Sequence, residues 1–121
     1  MKIAASAMLL IPLLAAAPAT AASDKVPNAI VALMGPTVGY LMAQSDLCGW
    51  NLTDKMTKVY TEGFKTIGLT AEQEAGVWKV VRERRAALGH LPVAAKDHIK
   101  AETCTAENRA RVERALMPDA P

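Results

Sequence analysis

The chain has 121 residues, of which 51% are hydrophobic, 4% aromatic and 21% charged. Its 14 Lys and Arg residues against 12 Asp and Glu residues give a formal net charge of +2, which provides no strong field for nucleic acid or an anionic lipid surface. The length suits one small domain, whose core is thin for its surface.

The first 22 residues have the order of a secretory signal peptide. Lys2 supplies a positive start, Ile3 to Ala17 form an apolar run, and Ala19-Thr20-Ala21 is typical of a cleavage site. A membrane anchor is disfavoured because the run is short, is interrupted by proline and lacks a basic stop-transfer flank. We expect residues 1–22 to be cleaved and residues 23–121 to form a single periplasmic or secreted domain without a membrane span.

Export changes how the two cysteines are interpreted. Cys48 and Cys104 form an even pair, and in an oxidising compartment such a pair favours a disulfide. The chain has neither a Cys-x-x-Cys motif for dithiol exchange nor a Cys-x-x-Cys-His motif for haem attachment. We therefore predict a disulfide that ties the first helical region to the last helix and stabilises the fold by roughly 4 kcal/mol in the chain-entropy model.

The first two predicted helices meet at the sequence DLCGWNLTD, residues 46–54. A helical pattern covers residues 26–47, where Gly35-Pro36 predicts either one kinked helix or two short ones. Gly49 ends this region, and Asn51 or Thr53 is expected to cap the second helix. Apolar residues then recur at spacings of three and four from Leu52 to Ile67.

Three more helices are predicted downstream. Thr70 and Gln73 fit a capping box that opens the third helix, and Gly89 closes it. A weaker helix covers about residues 93–102, and Thr105 caps a last one that ends near Leu116. Because no window alternates convincingly between apolar and polar residues, the predicted fold class is all-α: a small helical bundle of four to five helices closed by one disulfide, Cys48–Cys104.

Metal binding is an alternative that the acidic residues leave open. The candidates are Glu72 and Glu74 beside Thr70, and Asp46 and Asp54 around the first cysteine. No Asp-x-Asp-x-Asp-Gly loop gathers the six or more oxygens that calcium prefers. We predict no cofactor, and keep a hard cation of the calcium or lanthanide type, held by a few oxygen ligands, as an alternative.

Catalysis is not expected from this sequence. It contains no Gly-x-Ser-x-Gly motif and no phosphate-binding glycine loop, and no pair of carboxylates has motif support for glycoside hydrolysis. A small helical domain also offers little concave volume for an active site.

Partner binding is the remaining class, and four residues are candidates for it. Trp50 follows a helix end, where its ring either caps the core or reaches a partner. Arg82, Arg84 and Arg85 form a basic cluster that is either a solvated face or a site for an acidic partner.

The layout of Cys48, Cys104 and the nearby Trp50 resembles that of the small periplasmic acid-stress chaperones of the HdeA type. Members of that family are exported, helical and of about this size, and one disulfide ties an early helix to a late one. Here the tryptophan follows the first cysteine and the charge balance is mildly basic, which departs from that family. The resemblance implies an architecture and assigns no functional residue.

These observations lead us to expect an exported, non-enzymatic domain that binds another periplasmic protein, as an adaptor, inhibitor or chaperone. Apolar surface beside the arginines would be the working face, and acid would loosen the bundle by protonating carboxylates that pair with arginines. The alternatives are the metal-binding protein described above and a structural component of the cell envelope. The sequence indicates no oligomeric state.

Overall fold

A computed structural model describes residues 25–117, and these residues form an all-α bundle. The helices, in chain order, are α1 (Asn28–Cys48), α2 (Thr53–Ile67), α3 (Ala71–Gly89), α4 (Val93–Thr103) and α5 (Ala106–Ala115). The predicted fold class and its closing disulfide are confirmed. The predicted signal peptide, residues 1–22, lies outside the described residues.

Helix α1 is continuous through Pro36, so of the two predicted forms the structure has the single helix. Proline lacks the N–H that would bond one turn back, and it often ends a helix for that reason. Here α3 lies against α1 on both sides of the proline, because it contacts Gly35 before it and Gly39 after it. We infer that this packing holds the two halves of α1 in line.

The closest packing in the bundle lies between α1 and α3, at two glycines one turn apart. A β-carbon on Gly35 would lie 2.7 Å from Cβ of Val80. A β-carbon on Gly39 would lie 2.8 Å from Cβ of Arg84 and 3.1 Å from Cα of Val81. Real atoms do not approach so closely, so the spacing of the two helices requires glycine at both positions.

The hydrophobic core grows outward from this helix pair. Methionines of α1 and α2, Phe64 of α2 and two valines of α3 are its centre, and the C-terminal residues of α5 close one side. Its buried members are Val38, Met42, Trp50, Leu52, Met56, Phe64, Val77, Val81, Val112 and Leu116. Such a core of about ten side chains is what one small domain provides.

Gln73 ties the start of the described chain to α3. Its backbone N–H and side-chain oxygen form the predicted capping box with Thr70, at 3.0 Å for each bond. Its side-chain NH₂ group also donates to the carbonyl of Val26 and to Oδ1 of Asn28, each at 2.9 Å. Gln73 therefore caps α3 and also attaches residues 26 and 28 to it, a contact that the capping motif does not predict.

The C-terminal arm, residues 93–117, contributes few side chains to the core. Helix α4, all of whose residues are described, contributes no buried side chain, whereas α5 and its end contribute Val112 and Leu116. The disulfide holds this arm to the end of α1 across 56 residues of chain. Among the described residues, no helix has the length and apolar character needed to cross a membrane.

We expect Gly39→Ala to destabilise the protein, because the added methyl group would meet the α3 backbone at Val81. Gly76→Ala in the middle of α3 is the matched control, since no atom lies within 4 Å of its β-carbon position. Both variants gain helix propensity, so the difference between them reports the clash, for which overpacking suggests about 1–3 kcal/mol. Urea unfolding followed by circular dichroism measures this difference, and equal stabilities would contradict the close packing.

Candidate functional site

The joint between α1 and α2 contains the first cysteine and the tryptophan that the sequence singles out. Gly49 ends α1 with φ of 64°, and Asn51 is also left-handed, with φ of 59°. Glycine and asparagine adopt this conformation more readily than other residues. The two residues reverse the chain within a few positions, and the N–H of Trp50 donates to the carbonyl of Ser45 at 3.1 Å.

Trp50 lies in the core. Its side chain is 5% exposed and belongs to the same cluster as Leu52 and Met56. Of the two roles that the sequence left open, the structure therefore shows the ring as a cap on the core. In this fold the ring is not available to a partner.

The predicted cap of α2 by Asn51 or Thr53 is wrong. The cap position is Leu52, which has no side-chain capping bond. Instead, the end of α1 holds the start of α2: the N–H of Leu52 donates to Oγ of Ser45 at 2.9 Å, and the hydroxyl of Thr53 donates to Oδ1 of Asp46 at 3.2 Å. Asn51 and Thr53 are residue types that often cap helices. Here Asn51 has left-handed backbone and lies one residue before the cap position, and Thr53 is already the first residue of the helix.

The predicted disulfide is present. Cys48 is the last residue of α1, and Cys104 lies between α4 and α5, with 5.3 Å between the two Cα atoms. No free cysteine remains among the described residues. The sulfur atoms therefore have a structural role here.

The three arginines of the predicted cluster do not act together. Arg85 donates from Nε to Oδ2 of Asp46 at 2.9 Å and from a terminal nitrogen to Oδ1 at 3.1 Å. Arg82 and Arg84 are exposed, and the stem of Arg84 packs against Gly39. Arg82 and Arg84 thus form no ion pair with any described carboxylate, whereas Arg85 joins α3 to the end of α1.

The four acidic residues of the metal alternative are not brought to one place. Glu72 and Glu74 lie in the first turn of α3, where carboxylates complement the helix dipole. Asp46 and Asp54 line a common polar groove, where Asp46 is paired with Arg85. Within residues 25–117, no group of three or more His, Cys, Asp or Glu residues is placed to hold a metal ion.

An apolar groove between α1 and α2 is a candidate binding surface for apolar side chains. This α1–α2 groove has a volume of about 290 Å³ and is shallow. Leu33 is 65% exposed and Ile30 is 48% exposed at its edge. None of the lining residues carries a charge at neutral pH; they are Ile30, Leu33, Met34, Thr37, Val38, Tyr60 and Phe64.

Ile30 and Leu33 lie within the helix predicted over residues 26–47, but the sequence did not identify them as surface. A signal was present, because the run AIVALM at residues 29–34 is too broad to face one neighbour. A helix needs an apolar stripe on one side only, so a run of six nonpolar residues must expose some of them. Which ones are exposed depends on the position of α2, and the sequence does not give that position.

Arg82, Arg84 and Arg85 do not line the α1–α2 groove, so the expected arrangement of apolar surface beside the arginines is not found there. Comparisons of the chain with protein-family models, with curated proteins and with solved structures found no match. The functional argument therefore depends on the geometry.

The ion pair between Asp46 and Arg85 allows a test of how strongly acid can loosen the bundle. Of the ion pairs within residues 25–117, it is the one that joins two helices, and both side chains are partly exposed. Pairs of this kind contribute about 0.2–1 kcal/mol. We expect Asp46→Asn, which removes the charge as protonation does, to lower the free energy of unfolding by no more than about 1 kcal/mol.

Urea unfolding at neutral pH measures this loss. Asp97→Asn is the control, because Asp97 is exposed on α4 and has no ion-pair partner among the described residues. A loss of about 3 kcal/mol or more for Asp46→Asn alone would show that the pair carries far more of the stability than its exposure implies.

Proposed function

We propose that this chain is an exported, non-enzymatic domain that binds another protein, and that the α1–α2 groove contacts that partner. The partner contributes apolar side chains, as an unfolded client or an exposed apolar segment does. This makes a chaperone-like or adaptor role the best-supported function.

The observation that carries the proposal is the exposure of Leu33 and Ile30 beside an uncharged groove. Single apolar side chains on a surface are ordinary, whereas a contiguous apolar patch marks an interaction site. Here two large exposed side chains continue into the half-buried Met34 and Tyr60, so the patch spans two helices.

The chemistry of the groove restricts the partner. Burial raises the pKa of Tyr60 above its ordinary value, because the phenolate is poorly solvated there. Tyr60 is therefore neutral at physiological pH. Its contribution to the free energy of unfolding is lost only as the pH rises above the ordinary tyrosine pKa of about 10. With no charge in the lining, the groove has no ionic contact to offer, and apolar contact must provide the affinity.

The disulfide supports export, because such bonds persist in oxidising compartments such as the periplasm. The assignment to a non-enzymatic class rests on the sequence, which has no catalytic motif, and on the shallow form of the groove.

We expect Leu33→Lys to weaken client binding about tenfold, because burying a leucine is worth about 1.5–3 kcal/mol and a lysine cannot replace that contact. The client is a permanently unfolded protein, reduced and alkylated α-lactalbumin, and fluorescence anisotropy measures its affinity for residues 23–121. Since Leu33 is exposed, its replacement should leave the free energy of unfolding nearly unchanged.

Val93→Lys is the matched control. Val93 is 71% exposed on α4, outside the groove, so its replacement should leave client binding as it is. Failure of the unsubstituted protein to bind the client, or equal loss with both variants, would argue against the proposed function.

A further inference from the structure

A second groove lies on the other side of α2, between that helix and the end of α5. This α2–α5 groove has a volume of about 820 Å³, larger than the α1–α2 groove. Its apolar part is formed by Val59, Gly63, Ile67 and Met117, and Lys55 and Lys58 lie at its rim. Ile67 and Met117 are exposed, although both are large apolar residues.

The apolar residues of α2 in this groove have the spacing of a helix-packing surface. Val59, Gly63 and Ile67 follow one another at intervals of four, the row that packs against a second helix in the commonest helix–helix arrangement. Among the described residues, Leu116 and Met117 at the end of α5 are the part of the chain that shares this groove with α2. The row itself therefore has room for another helix.

The space beside Gly63 differs from the space beside Gly39. Both lie inside long helices, where glycine costs roughly 1 kcal/mol relative to alanine. At Gly39 the neighbouring helix α3 occupies the space that a side chain would need, whereas no described heavy atom lies within 4 Å of the β-carbon position of Gly63. The space over Gly63 is thus open to an approaching helix, whereas the space over Gly39 is already filled.

The charges at the rim of the α2–α5 groove indicate which charge a binding partner would carry. Lys55 and Lys58 are exposed and form no ion pair with any described carboxylate. Glu62 lies on the same rim, so the groove as a whole has an excess of one positive charge, concentrated at the end nearer the start of α2. Acidic side chains on a partner would complement that end.

We propose that the α2–α5 groove binds an amphipathic helix of another protein, with an apolar side chain seated over Gly63 and acidic side chains facing Lys55 and Lys58. This goes beyond the proposed function, because it concerns a separate surface and a partner of different chemistry. A helix is favoured over a lipid surface because the four-residue spacing and the open glycine suit a second helix, as the α1–α3 contact does within this molecule.

The test uses two synthetic peptides of about 18 residues, which is roughly five helical turns. Both have the same leucine and alanine face; one carries glutamate along the flank of that face and the other carries lysine at the same positions. Fluorescence anisotropy measures the binding of each to residues 23–121. We expect the glutamate peptide to bind at least about tenfold more tightly and to weaken with added salt.

Two substitutions locate the site. Gly63→Leu places a side chain in the groove, where its β-carbon meets no described atom within 4 Å, and should weaken binding of the glutamate peptide about tenfold. Gly76→Leu, at an equally open mid-helix position on α3, should not. Reversing the rim with Lys55→Glu and Lys58→Glu should exchange the peptide preference, and Lys65→Glu, exposed on the same helix but outside the groove, should not. Circular dichroism confirms that each variant is folded.

Other occupants give different results. Equal affinity for the two peptides, or equal effects of Gly63→Leu and Gly76→Leu, would overturn the proposal. Binding of phosphatidylglycerol vesicles that Gly63→Leu abolishes, without peptide binding, would replace the partner helix by a lipid surface. A gain of peptide binding only after deletion of residues 118–121 would assign the groove to the chain's own C-terminus, and a dimer that Gly63→Leu dissociates would assign it to a second copy.

The test is independent of the proposed function. Leu33→Lys should leave binding of the glutamate peptide unchanged, and Gly63→Leu should leave binding of the unfolded client unchanged. Each proposal can therefore fail while the other stands.

Discussion

The close packing of α1 against α3 is the constraint on which the other helices depend. Gly35 and Gly39 let the two helices approach at a distance that no larger residue allows, and this contact spans both sides of Pro36. Val77 and Val81 of α3 and Met42 of α1 form the centre of the core along the same line. With α1 and α3 fixed, α2 packs across them through Met56 and Phe64, and the described residues cover its row of Val59, Gly63 and Ile67 only in part.

The disulfide has a more local role than its effect on chain entropy suggests. Helix α4 lies against α1, but none of its residues, all of which are described, is buried. Cys104 fixes the chain between α4 and α5 to the end of α1, and Val112 and Leu116 then reach the core. The position of the C-terminal arm also determines one wall of the α2–α5 groove, so the disulfide helps to shape a surface that we propose to be functional.

Much of the fold could be predicted because the residues that end or cap a helix act on backbone groups close to them in the sequence. Gly49 and the Thr70–Gln73 capping box both act within one turn of their own positions, and the structure has each of them where expected. The disulfide was predicted from the expected compartment and the even number of cysteines alone. Features that depend on a distant neighbour could not be predicted: Asp46 meets Arg85 across 39 residues, and Trp50 packs into a core to which α3 and α5 contribute valines. The sequence also could not predict which glycine lies against another helix. Gly39 and Gly63 are both glycines inside predicted helices, but α3 packs against Gly39 and no described atom packs against the β-carbon position of Gly63.

Hydrogen exchange, followed by mass spectrometry on the oxidised protein and again after reduction, tests the central role of the α1–α3 contact most directly. Exchange reports the free energy of local opening for each helix. We expect the slowest exchange in α1 and α3, and we expect reduction to accelerate exchange in α4 and α5 while α1 and α3 stay protected. Loss of protection in all five helices together, or α4 and α5 unaffected by reduction, would contradict this account of how the bundle is held.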